Sequence, residues 1–324
     1  MIFFWVGFLL LISLLLALDL GVFHRKMHRI KTREAILWTI FWIFLALLFD
    51  VFIFYSYHYH WLGIGESLHH LQSGEDAALK YFTGYIIEKS LSLDNIFVIA
   101  MIFAYFHVQA LYQHRVLYWG ILGALIMRGV MIIAGIALIN KFYWMIYLLG
   151  ILLIFTAVRM LLTRKETIDP DKNLLVQLAR KIYPVTKGYE GSKFFSRVGN
   201  RRAITPLFLV LLIIESTDVL FAVDSIPAIF AITTDPYIVF TSNVFAILGL
   251  RALYFALASM MERFRYLKLS LVFVLAYVGV KMLLSHVYKI PTLISLGIII
   301  VFLSVGIIAS IFASHREKKS VKAS

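Results

Sequence analysis

The sequence contains no cysteine. Disulfides, thiolate metal centres and cysteine nucleophiles are therefore excluded, and the redox compartment stays open. Charge is scarce too: Asp, Glu, Lys and Arg make up 15% of the chain, against about 25% in an average soluble domain. There is no HExxH and no GxGD motif, so zinc-peptidase and aspartyl intramembrane protease signatures are missing, and nothing marks the chain as an enzyme. Short alternating segments of the β-barrel kind are missing as well.

What is present in excess is apolar sequence. Of 324 residues, 61% are hydrophobic, and the mean hydropathy is +0.88. Apolar runs of about 18 residues or more recur along the whole length, which reads as an all-α, polytopic membrane protein. The opening run, MIFFWVGFLLLISLLLALDLGVF, lacks a basic leader and a small-x-small cleavage site, so it is expected to span rather than be removed.

Stretches of about 20 apolar residues predict nine spans, at 2–23, 36–57, 83–106, 116–139, 142–162, 205–231, 238–259, 267–285 and 292–313. Basic residues fall in alternate connections. Arg25, Lys26, Arg29, Lys31 and Arg33 lie in 24–35, and ten Lys or Arg lie in 163–204. More lie near Arg263 and in the tail, whereas the intervening loops hold only Lys80, Lys141 and Lys289. This asymmetry predicts an outer N-terminus and a cytosolic C-terminus. The formal net charge of +13 is thus a topology signal, and no nucleic-acid partner is expected. The loop 163–204 carries an amphipathic stretch, NLLVQLARKIY, suited either to lying on lipid headgroups or to recruiting a partner. The outer loop 58–82 places His58, His60, His69 and His70 beside Glu66, Glu75 and Asp76, which are either solvated or able to gather metal ions.

Two spans carry carboxylates. EKSLSLDNIFV, Glu88 to Val98, aligns with DVLFAVDSIPA, Asp218 to Ala228, pairing Glu88 with Asp218, Asp94 with Asp224 and Asn95 with Ser225. Downstream, LIMRG around Arg128 matches ILGLRA around Arg251, and TAVRMLL matches VGVKMLL. Matches in the same order predict a duplicated three-span unit, 83–162 and 205–285. Three is odd, so the second copy enters the membrane from the opposite side. Inverted repeats of this kind hold transporter sites near the midplane. Residues 1–57 supply two further helices, 292–313 the last one, and 163–204 the cytosolic loop, all within a single membrane domain.

A central carboxylate costs about 2.5–3.5 kcal/mol to insert, so Glu88, Asp94, Glu215, Asp218 and Asp224 together cost on the order of 12–17 kcal/mol if uncompensated. Protonation, pairing with Lys89, Arg128 and Arg251, or a bound cation could each compensate. The neutral neighbours Asn95, Ser225, Ser92, Ser216 and Thr217 add oxygens, and an all-oxygen set suits Mn²⁺, Mg²⁺ or Ca²⁺. Glu215 and Asp218 share a helix face. Six residues turn a helix by about 240°, so Glu88 and Asp94 cannot both point inward from one straight helix. Pro227 removes a backbone bond to Val223 and could bend the span there. Asp19 either joins the site or pairs with Arg25 or Lys26. Asp50 reads as interfacial, and Glu262 as an ion pair with Arg263 or Arg265.

IEKSLSLDNIFV, IESTDVLFAVDSIPAIFAITTDP and SNVFAILGLRALYF resemble signatures of the TerC family of integral membrane proteins, and within it the Alx-type bacterial members. The likeness runs from LDLGVFHR to KMLL and Ile290–Pro291. It implies a LysE-type three-plus-three helical core and a role in manganese homeostasis, chiefly Mn²⁺ export. It also implies ion-site acids at Glu88, Asp94, Glu215, Asp218 and Asp224. The expectation is an inner-membrane Mn²⁺ exporter working by alternating access and coupled to inward proton flow, since metal binding displaces protons. Asn95 and Ser225 would complete the metal set, with Ca²⁺ or Mg²⁺ as other candidate ions and no organic cofactor. The lipid bilayer and the ion are the expected partners. The other reading is a membrane partner or assembly factor of the tellurite-resistance type, with a structural cation.

Overall fold

A computed structural model of the chain describes residues 2–21, 32–67, 70–162, 173–199, 201–257 and 266–323. Helices α1 (Ile2–Gly21) and α2 (Thr32–His58) come first, followed by a small antiparallel pair, β1 (Glu66–Ser67) and β2 (His70–Leu71). Then come α3 (Gly74–Tyr105), α4 (Ala110–Lys141) and α5 (Met145–Leu162). The long loop contributes α6 (Leu174–Ile182) and a hairpin of β3 (Phe195–Val198) and β4 (Arg201–Ile204). The rest is α7 (Pro206–Phe230), α8 (Pro236–Leu248), α9 (Leu250–Leu257), α10 (Leu267–Leu284) and α11 (Thr292–Ala323).

The architecture is that of an all-α, multi-pass membrane protein. Among the described residues, seven helical segments are long and apolar enough to cross a membrane: α2, α4, α5, α7, α8 with α9, α10 and the part of α11 up to Ala313. The sequence predicts two more spans. Of these, α1 has an apolar stretch, Phe3–Leu18, that falls short of that length. The other, α3, has the length but is interrupted by Glu75, Asp76, Lys80, Glu88, Lys89 and Asp94.

Helix ends follow capping chemistry more than hydropathy. α3 begins nine residues before its apolar stretch because Ser73 accepts a bond from the Asp76 backbone N–H at 3.2 Å. Glu75 and Asp76 also suit the positive end of the helix dipole. Asp235 caps α8 by accepting from the N–H groups of Tyr237 and Ile238 at 2.9 and 3.3 Å, with Pro236 at the first helical position. The same carboxylate accepts from the Tyr57 hydroxyl at 2.9 Å and so ties α2 to α8. Pro227 lies inside α7, but only one turn from its end, and the chain stays helical through it.

The packing is reciprocal. α3 packs on α8 as α7 packs on α4, α3 meets α7, and α5 lies along α10. Glycines set the closest crossings: a side chain on Gly150 or Gly279 would run into the facing backbone of α10 or α5, so small residues let these helices touch. The loop 163–204 is more than a linker. Val176, Ala179, Phe194 and Ile204 are buried in one core with Ile102, Val116 and Leu207, which fixes α6 and the hairpin against α3, α4 and α7.

Candidate functional site

Residues seven apart share a helix face. On α3 that brings Glu88 and Asn95 to one side, and on α7 it does the same for Asp218 and Ser225. The two faces meet around one side chain from α4. Arg128 is 1% exposed and Glu88 0%. The Arg128 Nη1 donates to Glu88 Oε1 and, at 3.2 Å, to Ser225 Oγ. Its Nε and Nη2 donate to the two oxygens of Asp218 at 3.2 and 3.1 Å. One guanidinium thus bridges α3 and α7, the fork geometry that arginine supplies and lysine does not.

Two amides complete this cluster. Asn95 Nδ2 donates to Asp218 Oδ1 at 3.4 Å, and Asn243 Nδ2 from α8 donates to Glu88 Oε2 at 3.1 Å. Their oxygens, Asn95 Oδ1 and Asn243 Oδ1, are buried without a hydrogen-bond partner, as is Ser92 Oγ. Buried polar atoms without partners are uncommon. Sequence reasoning did not single out Asn243; its only signal was a polar TSN triplet in an apolar span.

Beside the cluster lies a cavity of about 430 Å³ between α3, α4, α5, α7 and α10. Of the seven predicted ligands, it is lined by Glu88, Asp94, Asn95, Asp224 and Ser225, together with Arg128, Arg159 and Thr156. Asp224 Oδ1 accepts from Thr156 Oγ1 at 2.8 Å. Asp218 sits behind Arg128 and lines a smaller pocket with Asn95, Thr217 and Arg251. Glu215 is set apart: its carboxylate fills the notch that Gly123 leaves on α4. Glu215 is not among the residues that line the larger cavity. Among the described residues, no group of three or more His, Asp or Glu side chains is arranged to hold a metal ion. The oxygens of Glu88 and Asp218 are turned toward Arg128 instead.

Of the other intramembrane bases, Lys89 turns away from this cluster. Lys89 Nζ donates to the Ala246 carbonyl at 3.1 Å, near the break between α8 and α9. At that break Gly249 leaves room for the Lys89 ammonium and Trp42, which a side chain there would meet at 2.9 and 3.1 Å. In and around the connection between α2 and α3, His58 stacks on Phe54, His60 has a left-handed backbone, and Asp76 pairs with Lys80 at 2.5 Å. The side chains of Glu66, His69 and His70 lie outside the described residues, and no metal cluster is assembled by the described ones. Asp50 lies in α2 with Oδ1 buried and unpartnered. Asp19 belongs to α1, but its side chain lies outside the description, as do Arg25, Lys26 and the expected pair of Glu262 with Arg263 or Arg265.

Comparison with known proteins gives a consistent picture. The family described as "Integral membrane protein TerC family" matches residues 73–318. "Uncharacterized membrane protein STKORF319" of Myxococcus xanthus is 46% identical over 316 residues, covering 98% of this chain and 94% of its own. "Putative membrane-bound redox modulator Alx" of Escherichia coli (strain K12) is 42% identical over 316 residues, covering 97% and 96%. An "Uncharacterized membrane protein" of Rickettsia bellii is 43% identical over 311 residues, covering 96% and 98%. No solved structure matches the chain.

Proposed function

The chain belongs to the TerC family, and from that premise we propose that it exports a divalent cation, foremost Mn²⁺, across the bacterial inner membrane by alternating access. In this reading it is a transporter and not an enzyme, its N-terminus lies outside, and its C-terminus is cytosolic. The observation that carries the proposal is the polar chamber inside the helical bundle. Carboxylates from the first helix of each half, Glu88 and Asp94 on α3 and Asp224 on α7, line one cavity with the neutral oxygens of Asn95, Ser225 and Thr156. Intramembrane acids facing a bundle interior mark ion pathways, and an oxygen set of this kind takes hard divalent ions.

An inverted three-plus-three repeat within nine spans fits the packing. α3 on α8 and α7 on α4 are the same contact with the halves exchanged, and α5 on α10 pairs the third helices. Exchange against protons follows from the same acids, because a metal ion competes with protons for each carboxylate. The redox role in the name of the Escherichia coli relative could reach this chain only without thiols, since it has no cysteine.

The test is metal flux into liposomes containing the purified protein, with Mn²⁺, Ca²⁺, Mg²⁺ and Fe²⁺ in competition. Wild type is expected to move Mn²⁺, and Asp94→Asn or Asp224→Asn to lower that flux at least about tenfold, the scale on which metal-site changes act. Normal transport by both variants would remove these acids from the site. Absence of Mn²⁺ flux in wild type would sink the transport reading itself.

A further inference from the structure

Arg128 sits oddly in a metal site, because a metal-binding pair of carboxylates gains nothing from a fixed cation between them. It holds Glu88 and Asp218 together and touches Ser225. Yet the arrangement leaves Asn95 Oδ1 and Asn243 Oδ1 unused, although Asn95 is only 4% and Asn243 1% exposed. Each of these amides donates its nitrogen to one of the same two carboxylates. Two unsatisfied carbonyl-type oxygens beside two carboxylates and a serine hydroxyl make a set of oxygens that a guanidinium, a donor only, leaves partly idle. A hard cation would use all of them.

We propose that Arg128 is a built-in counter-cation that the transported ion displaces: its guanidinium occupies the place between Glu88 and Asp218 when no ion is bound. The inference rests on the transport reading and adds the exchange step to it. Charge supports the exchange. Two carboxylates with one guanidinium leave an excess negative charge, whereas two carboxylates with a divalent ion are neutral. Room supports it too, since Arg128 lines the cavity of about 430 Å³, where Asp94 and Asp224 can receive the displaced guanidinium. Without an ion, the arginine offsets part of the charge on Glu88 and Asp218, so this pair needs no stray monovalent ion to stay buried.

A tethered competitor lowers apparent affinity by the fraction of time it occupies the site. Removing it must therefore tighten ion binding, the opposite of what losing a merely structural residue would do. Mn²⁺ binding to the purified full chain in detergent, followed by electron paramagnetic resonance, reads this directly. Arg128→Gln is expected to bind Mn²⁺ about tenfold more tightly than wild type and to turn over more slowly in liposomes. Arg128→Lys keeps the charge but loses the fork, so the acids stay partly compensated and the gain in affinity is expected to be smaller. Millimolar guanidinium should compete with Mn²⁺ in Arg128→Gln and have no effect on wild type. Unchanged or weaker Mn²⁺ binding in folded Arg128→Lys, with wild type still transporting, overturns the exchange while leaving the transport reading intact. Wild type that neither binds nor moves Mn²⁺ overturns both.

Discussion

Asn243 stands on α8, which packs on α3 but carries none of the predicted site acids, and its amide nitrogen is a second donor to Glu88. Because both residues are buried, water cannot replace that donor. Asn243→Ala should therefore cost about 1–3 kcal/mol of stability, the penalty for leaving a buried acceptor unsatisfied. It should also slow Mn²⁺ flux under the proposed function. Thermal unfolding of wild type and variant in the same detergent checks the first part, and unchanged melting would mean that Glu88 finds another donor. At this scale the acids were legible because a charge in an apolar run is conspicuous and costly. Asn243 was not, since an uncharged amide barely lowers hydropathy. Gly123 was silent for a different reason: it matters only because α4 crosses α7 where Glu215 needs space. Arg128 could be named in advance as a possible counter-ion. Which two acids it joins depends on how three helices cross, and no local pattern encodes that.

Among the elements, α6 and the β3–β4 hairpin change how the long loop should be tested. Deleting 163–204 is not a clean way to separate transport from partner recruitment. It would in fact strip Val176, Ala179, Phe194 and Ile204 from the core, and loss of folding would mimic loss of function. The informative change is on the surface. Leu174, Leu178 and Ile182 are exposed on α6, with Arg180 and Lys181 in its last turn, a composition suited to the headgroup region. Replacing the three apolar residues with Ser should leave Mn²⁺ flux in liposomes within about twofold, since surface changes away from special features cost little. Abolished function in cells with normal flux in liposomes would instead favour the partner-recruiting reading. Amphipathic spacing made α6 legible in the sequence. The hairpin was hidden because FSRV and RRAI alternate weakly and lie in a basic loop. The break at Gly249 was hidden because its stabiliser, the Lys89 ammonium at the Ala246 carbonyl, comes from a helix far away in sequence.

For the molecule as a whole, the decisive element is α3. Among the described residues, seven segments satisfy length and hydropathy, and α3, which carries Glu88 and Asp94 among its charges, is not one of them. If α3 crosses the membrane, the halves α3–α5 and α7–α10 each cross three times and run in opposite directions. If it does not, the inversion is lost. A chain without cysteine allows this to be measured with single introduced thiols and a membrane-impermeant maleimide on intact cells. Glu75 is exposed in the first turn of α3, Tyr143 between α4 and α5, Tyr288 between α10 and α11, and Lys187 in the long loop. With α3 spanning, Glu75→Cys, Tyr143→Cys and Tyr288→Cys should all label from outside, and Lys187→Cys only after permeabilisation. Glu75 and Tyr143 are separated by α3 and α4 alone, so labelling of one without the other would mean that α3 stays on one side. Basic residues concentrated in the Lys187 loop argue for its cytosolic placement, and the compensated acids of α3 argue that the helix can pay its way through the bilayer: Arg128 and Asn243 meet Glu88 inside the bundle, where lipid does not reach.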